Sequence, residues 1–236
     1  MHIRYRIQSM YISFICLLFI LPVVFAQNTE AFKSDIYSRL KCCSCQESFD
    51  KCICPEAKEM KAYIDALLES GMSKEEIFYK AAKKFSLNTI LDEEIKQEVK
   101  KRLIKEAGEK RPQIILGSTS FDFGTMSKKK GRVSKVFKVS NNGNMPLIVK
   151  QIKTSCPCAA VSLEVGKKKS PYFGTEGSPK DWQVEIEAGK VGELELMVDL
   201  ASSYVRTGKL IRDATIISND PVYPEVTVRV EAEVND

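Results

Sequence analysis

Hydrophobic positions along this chain change their period twice. Residues 11–25 (YISFICLLFILPVVF) are apolar almost throughout. From Phe32 to about Ile90, apolar side chains recur at helical spacing, and beyond Pro112 they alternate with polar ones. The chain therefore reads as an apolar leader, a helical segment, a connector and a strand-rich body.

In the helical segment, Phe32, Ile36 and Leu40 fall at i, i+4, i+8 and form one short apolar face. Pro55-Glu56 opens a second helix, with proline at its first position and acid in its first turn. Met60, Ile64, Leu67 and Leu68 stripe that helix, and Gly71 ends it. Ser73 to Glu76 has the form of a capping box, with Met72 and Ile77 placed as a hydrophobic staple, and Ile77, Ala81 and Phe85 line a third helix. A bundle of three such helices is small and buries little surface on its own.

From Asp92 to Arg111, 13 of 20 residues are charged, while Ile95, Val99 and Leu103 keep helical spacing. This predicts a solvated helical connector. Acids alternate with its lysines, which argues against nucleic acid as a partner. The expected strands beyond it are Phe121–Phe123, Val133–Val139, Leu147–Lys153, Ala159–Leu163, Trp182–Ile186, Leu194–Val198, Ala214–Ile217 and Val226–Val230. Turn signals such as Asn142-Gly143-Asn144 and Asn219-Asp220-Pro221 separate them, which predicts a β-sandwich. Gly166 to Lys180 reads as a long loop, and Lys128–Lys130 and Lys167–Lys169 read as solvated turns. The expected fold class is α+β multidomain, with boundaries at 1–26, 27–90, 91–112 and 113–236.

Composition sharpens this picture at one point. The formal net charge is +5 and the single histidine is His2. His2, Arg4 and Arg6 ahead of the apolar run, with Ala26 before Gln27, have the form of an export signal; an uncleaved N-terminal anchor, giving membrane association, is the alternative. Either way the expected location is extracytoplasmic, periplasmic in a bacterium. Cleavage removes the only imidazole, so the mature chain has no Ser-His-Asp or Cys-His hydrolase centre and no Cys-X-X-Cys-His haem attachment. The chemistry that remains belongs to thiols, carboxylates and lysines.

Beyond the leader the cysteines are Cys42, Cys43, Cys45, Cys52, Cys54, Cys156 and Cys158. Cys42-X-X-Cys45 has the spacing at which one thiol displaces its neighbour from a mixed disulfide. Helix rather than strand precedes it, which argues against a thioredoxin setting. Cys54 stands immediately before Pro55, at the N-cap of the second helix, where the helix dipole favours thiolate. It is either a third redox participant or a structural partner of Cys43 or Cys52. Pro157 favours extended geometry at Cys156. The i, i+2 spacing of an extended strand, roughly 6.5–7 Å, is at the limit for a bridge. For Cys156 and Cys158 three states stay open: buried thiols, a labile disulfide formed over a local bend, or soft-metal ligation or bridging to the helical segment.

Leu40-Lys41-Cys42-Cys43-Ser44-Cys45-Gln46, followed by the Pro-led helix and the Ser-Lys-Glu-Glu-Ile helix, resembles the CcmH/CycL/NrfF family of cytochrome c maturation over roughly Glu30 to Asn88. The resemblance implies a three-helix bundle carrying an exported thiol–disulfide oxidoreductase. Cys42 and Cys45 would be its redox pair, Lys41 and Gln46 would flank them, and its partners would be apocytochrome c and other maturation proteins. It implies no cofactor of its own, with haem only as cargo of the pathway. Lys41 in place of arginine, the additional thiols Cys43, Cys52 and Cys54, and a sandwich where the family has a membrane anchor are departures. Phe121-Asp122-Phe123-Gly124, Ser140-Asn141-Asn142-Gly143, Ser155-Cys156-Pro157-Cys158 and Ser218-Asn219-Asp220-Pro221 resemble an immunoglobulin-like bacterial domain of unknown function, of the ASH/MSP type. That second resemblance implies a docking or scaffolding role.

The leading expectation is therefore a thiol–disulfide oxidoreductase acting on apocytochrome c or a maturation partner. One alternative is a thiolate site for zinc or Cu(I) built from Cys42, Cys45, Cys52 and Cys54. The other is a non-enzymatic scaffold whose cysteines are all structural.

Overall fold

The computed structural model describes residues 30–42 and 48–236. The export segment and Cys43, Cys45 and Gln46 lie outside the described residues. The chain is an α+β protein that divides into two compact units. One comprises residues up to Ala82 together with Asn88–Lys96, the other Lys83–Leu87 together with Gln97–Asp236.

Helix α1 covers 30–38 of the described residues, α2 spans Pro55–Glu69, α3 Lys74–Phe85 and α4 Glu93–Ala107. Ser73 caps α3 as its sequence requires, its Oγ accepting from the Glu76 N–H at 3.3 Å. Ile36, Met60, Ile64, Ile77 and Phe78 are fully buried in the first unit. Leu40 is buried as well, but not on a helix face. The helix stops at residue 38, and Leu40 pairs with Ile90 in an isolated antiparallel bridge. The i, i+4, i+8 face therefore ends in extended chain, because backbone partners at 89–91 satisfy residues that a further helical turn would have used.

The connector differs from its expectation too. α4 does not leave its apolar stripe in solvent: Val99 and Leu103 are buried, and the Lys100 ammonium sits 5.6 Å over the Tyr223 ring. Thirteen charges in twenty residues hide a stripe only two residues deep.

The second unit is an immunoglobulin-like sandwich of two five-stranded sheets. In chain order its strands are β1 Ile114–Leu116, β2 Ser120–Ser127, β3 Arg132–Asn141, β4 Leu147–Thr154, β5 Ala159–Val165, β6 Lys168–Lys169, β7 Val184–Ile186, β8 Val191–Asp199, β9 Gly208–Ser218 and β10 Glu225–Asn235. One sheet runs β1-β3-β8-β5-β6 and the other β2-β10-β9-β4-β7. All pairings are antiparallel except β2 with β10. Alternation is clean where one face is covered: Val226, Val228, Val230, Ala232 and Val234 of β10 are buried and their neighbours are not. Together with Phe137, Leu163, Leu194 and Ile216 they form the core between the sheets. β2 gains one residue against β10 between Asp122 and Thr125, a bulge at Gly124, whose φ of +69° suits glycine.

All eight expected strands are present, most of them longer than their apolar cores. The expected 166–180 loop is a correction: β5 turns back through β6. Ser170 N–H donates to the Leu163 carbonyl at 2.9 Å and Lys169 pairs with Glu195 at 2.7 Å, so Lys168 and Lys169 are exposed strand residues, while Lys167 stays in the solvated turn. Lys128–Lys130 do form a turn, a single 3-10 one capped by Ser127.

One end of the sandwich is closed by side-chain amides and a carboxylate. Buried Asn141 accepts from the Gln113 and Gly143 N–H groups and donates to the Met145 and Ile186 carbonyls at 2.8–3.2 Å. Gly143 is required here, since a Cβ would lie 2.2 Å from the Arg111 carbonyl oxygen. Buried Asp220 accepts from the N–H groups of Ile114, Val222 and Tyr223 at 2.8–3.2 Å. These motif residues are backbone clamps. Removing either leaves several buried backbone groups without partners, so Asn141→Ala and Asp220→Ala should each lower sandwich stability by about 2–4 kcal/mol. The only tryptophan, Trp182, packs edge-on against Phe173 within this unit. Urea unfolding followed by its fluorescence measures that loss directly.

Candidate functional site

Cys42 is positioned by backbone pairing on both sides of the two residues before it. Lys41 N–H donates to the Thr89 carbonyl at 2.9 Å, and Leu91 N–H donates to the Arg39 carbonyl at 2.8 Å. On the other side Phe49 N–H donates to the Leu40 carbonyl at 3.3 Å, and Lys41 bridges to Ser48. Leu40 and Lys41 are thus extended residues bridged on both sides, although the sequence carries no strand pattern there.

Charge ties the same region together. Asp35 accepts from Arg39 at 2.9 Å and from Lys74 at 2.5 Å, and Arg39 also pairs with Asp92. Lys74 and Arg39 hold the Asp35 carboxyl below the ordinary carboxylate range. Asp92 is lowered chiefly by the Ile95 N–H that it caps, and then by Arg39.

The loop from Ser48 brings two further thiols to Cys42. Cys52 N–H donates to the Ser48 carbonyl, closing a turn, and Lys61 on α2 donates to the carbonyls of Asp50 and Cys52 at 3.0 and 2.9 Å. Cys54 is the N-cap of α2, with extended backbone and its Sγ accepting from the Ala57 N–H at 3.4 Å. Its Sγ lies 3.4 Å from that of Cys42 and 3.4 Å from that of Cys52. The three sulfurs all fall within 4.8 Å of one another. Cys42 and Cys52 are buried and Cys54 is half-buried.

The sequence expectation for Cys54 therefore holds in place but not in charge. Burial pushes its thiol well above the usual range, and the Cys52 and Cys42 sulfurs add to the rise. The bond from Ala57 opposes them and loses. A helix dipole acts within one turn and is worth about 0.3–1 kcal/mol at an exposed site, less than the cost of a poorly hydrated thiolate against two other sulfurs.

Of the predicted site residues, Cys42, Cys52 and Cys54 come together. Lys41 is half-buried and fixed through its backbone, while Cys43, Cys45 and Gln46 lie outside the described residues. Lys61 was not singled out in the sequence: it looks like one more exposed lysine of α2, and only the fold reveals the carbonyls it binds.

Cys156 and Cys158, in the second unit, form a disulfide in the connection from β4 to β5. Of the open states, the bridge over a local bend is the one adopted. Their Cα atoms are 5.2 Å apart, well under the extended spacing, because the chain turns at Pro157. Ala159 N–H donates to the Cys156 carbonyl at 3.0 Å, and Thr154 Oγ1 bonds the carbonyls of both Cys156 and Ala159. Proline at the second position of such a turn is favoured by its fixed φ.

A two-sheet, immunoglobulin-like sandwich joined to a thiol-bearing helical unit is the class of protein these features define. The chain belongs to the DUF1573 family, described as a protein of unknown function, whose model matches residues 114–234, just over half of the sequence. No functionally curated protein matches it. Among solved structures, it is similar to a protein of unknown function from Porphyromonas gingivalis W83, with 23% identity, a TM-score of 0.39, and 53% of this chain and 49% of that one covered. The chain thus spans about half the length of that protein. It is also similar to the ASH/PapD-like domain 7 of human CEP192, with 7% identity, a TM-score of 0.35, and 55% and 89% covered. A third likeness is to the E. coli chaperone DraB, with 10% identity, a TM-score of 0.30, and 52% and 56% covered. Among the described residues, no helix is long and apolar enough to cross a membrane.

The Asp35 cluster makes acid a specific stress on the helical unit. A carboxyl whose folded pKa is depressed contributes its stability fully above the unfolded value and loses it as pH falls through the folded one. Helix melting followed at 222 nm should therefore drop in temperature between pH 5 and pH 3. Asp35→Asn should lower the melting temperature at pH 7 and flatten that acid dependence.

Proposed function

We propose that the helical unit is an exported thiol–disulfide oxidoreductase site of the cytochrome c maturation type, with Cys42 and Cys45 as the exchanging pair and Cys54 as a relay thiol. The observation that carries this reading is the contact between the Cys54 and Cys42 sulfurs at 3.4 Å, a non-bonded approach that a small closing motion turns into a bond. The three helices α1, α2 and α3 would be the small bundle of those factors, and the expected leader would send the chain to the periplasm.

The steps balance without a cofactor. A motif thiolate attacks a substrate disulfide and expels one substrate thiolate, leaving a mixed disulfide. The second motif thiol attacks the protein sulfur of that bond, and the second substrate thiol departs. The motif disulfide so formed can pass to Cys54, which gives up its proton as it attacks Cys42 and frees Cys45; an external dithiol then restores the reduced cluster. Burial keeps Cys54 protonated until a disulfide is offered, so it does not compete for the first attack. Two surface features suit an unfolded peptide substrate. Ile53 stands 82% exposed between the two loop cysteines. A groove of about 450 Å³ is lined by Lys33 and Tyr37 of α1 and by Ser48, Asp50 and Lys51 of the loop that leads to Cys52, among others. The sandwich would dock the substrate or a maturation partner.

One observation favours a second reading. Three sulfurs within 4.8 Å of one another match the spacing of thiolates around a soft ion held at about 2.3 Å. Cys42, Cys52 and Cys54 would hold zinc or Cu(I), with Cys45 as a fourth ligand.

Thiol counting and metal analysis of the mature protein separate the two. The oxidoreductase predicts two thiols that appear reversibly on mild reduction, no stoichiometric metal, and loss of that step in Cys42→Ser and Cys45→Ser. Cys54→Ser should still attack a disulfide peptide but recover its reduced form roughly tenfold more slowly. One zinc or copper per chain, released by Cys42→Ser or Cys54→Ser, would overturn the redox assignment in favour of the metal site.

A further inference from the structure

The sandwich carries its own sulfur chemistry, on residues that the helical site does not use. Arg212 of β9 donates from Nε to the Cys158 Sγ at 2.8 Å. Its Nη1 and Nη2 donate to the Ile211 carbonyl at 2.7 Å and the Tyr204 carbonyl at 3.1 Å, so the guanidinium is fixed on the sulfur by backbone. The neighbouring carboxylate is committed elsewhere: Asp213 takes a two-pronged bond from Arg229 at 2.8 and 2.9 Å. Burial works against the Arg212 charge, and only the Asp213 field offsets part of that cost. A further charged residue at the turn is Asp199, whose N–H donates to the Cys158 carbonyl while its carboxylate faces Arg132 at 3.8 Å.

A half-desolvated cation bonded to a neutral disulfide is an arrangement waiting for an anion, and reduction of the bridge supplies one. We propose that Cys156–Cys158 is a second redox centre, reduced by dithiols, with Cys158 as the arginine-stabilised leaving thiolate.

The step balances as follows. A dithiol reductant attacks the Cys156 Sγ as thiolate, the Cys156–Cys158 bond breaks, and Cys158 leaves as a thiolate paired with Arg212. The reductant's second thiol then attacks its own sulfur in the mixed disulfide. Cys156 is released and takes a proton, and the reductant departs as a disulfide, two electrons having passed to the protein. Both cysteines are buried, Cys156 slightly less deeply at 9% exposure against 4% for Cys158, and the exposed Ser155 and Pro157 flank Cys156, which makes it the attacked position. The bridge also closes a loop of sequence separation two, the case in which a cross-link removes least entropy from the unfolded chain, so opening it leaves the sandwich folded.

The test follows the peptide containing Cys156 and Cys158 by differential alkylation and mass spectrometry, on the full chain equilibrated in reduced and oxidised dithiothreitol or glutathione. In the unaltered protein the bridge should open reversibly while Trp182 fluorescence stays native. Arg212→Gln should make the reduced form about tenfold less favourable, equivalent to about 30 mV, and Arg212→Lys should recover part of that change. In the reduced, unaltered protein, alkylation of Cys158 should reach half its limiting rate below the ordinary thiol pKa of about 8.5. A bridge that opens only when the sandwich unfolds, an equilibrium unchanged by Arg212→Gln, or a Cys158 that titrates at or above the ordinary value would each overturn the proposal. The last measurement needs no variant, and none of the three depends on Cys42, Cys45 or Cys54.

Discussion

Backbone pairing of two residues, Leu40 and Lys41, is the interaction on which the helical unit depends. A helix ending at residue 38 leaves carbonyls and N–H groups that need partners, and these are supplied by the chain at 89–91 on one side and 48–49 on the other. The result is a three-segment ribbon only a few residues long. It fixes the exit direction of the chain at Cys42, buries Leu40, and brings the Ser48–Cys54 loop back beside it. The ion pairs of Asp35 and Arg39 hold the same strip from outside, at partly exposed positions where such pairs are individually weak.

The two sulfur sites of the molecule are electrostatic opposites. At the N-terminus of α2, sulfur crowds sulfur and, among the described residues, no cation bonds Cys54, so its proton is retained until another sulfur or a soft ion replaces it. In the sandwich a guanidinium bonds Cys158 and, among the described residues, its other bonds go to backbone carbonyls, so negative charge is welcome there. One chain thus presents a thiol that resists ionising and a disulfide whose opening is eased.

Much of the sandwich was legible in the sequence. Period-two alternation reports which side chains face the core, and each apolar run Phe121–Phe123 to Val226–Val230 became a strand. β1 and β6 were not legible, because three and two residues are too few to show a period; Ile114 and Lys168–Lys169 are strand residues through their partners alone. Leu40 was misplaced for the same reason, since its spacing from Ile36 fits a helix and its hydrogen bonds do not. At the candidate site, sequence supplied the cysteines and the capping position of Cys54. It could not supply their mutual contact, the sign of the Cys54 shift, or Arg212, which looks like any outward charge on a strand. Burial and hydrogen bonding decide those, and both are properties of the folded chain.

The parallel pairing of β2 with β10 has a consequence for the order of assembly. β10 lies between β2 and β9, yet it follows β2 by more than a hundred residues, from Ser120 to Arg229. The β9–β10 hairpin and the β8 pairings close over shorter loops, whereas β2 has no neighbour in its sheet until the last strand is in place. Closing so long a loop is entropically the slowest kind of step. The sandwich is therefore completed by joining the two ends of its sequence last, and a chain halted before residue 225 would leave β2 as an open edge.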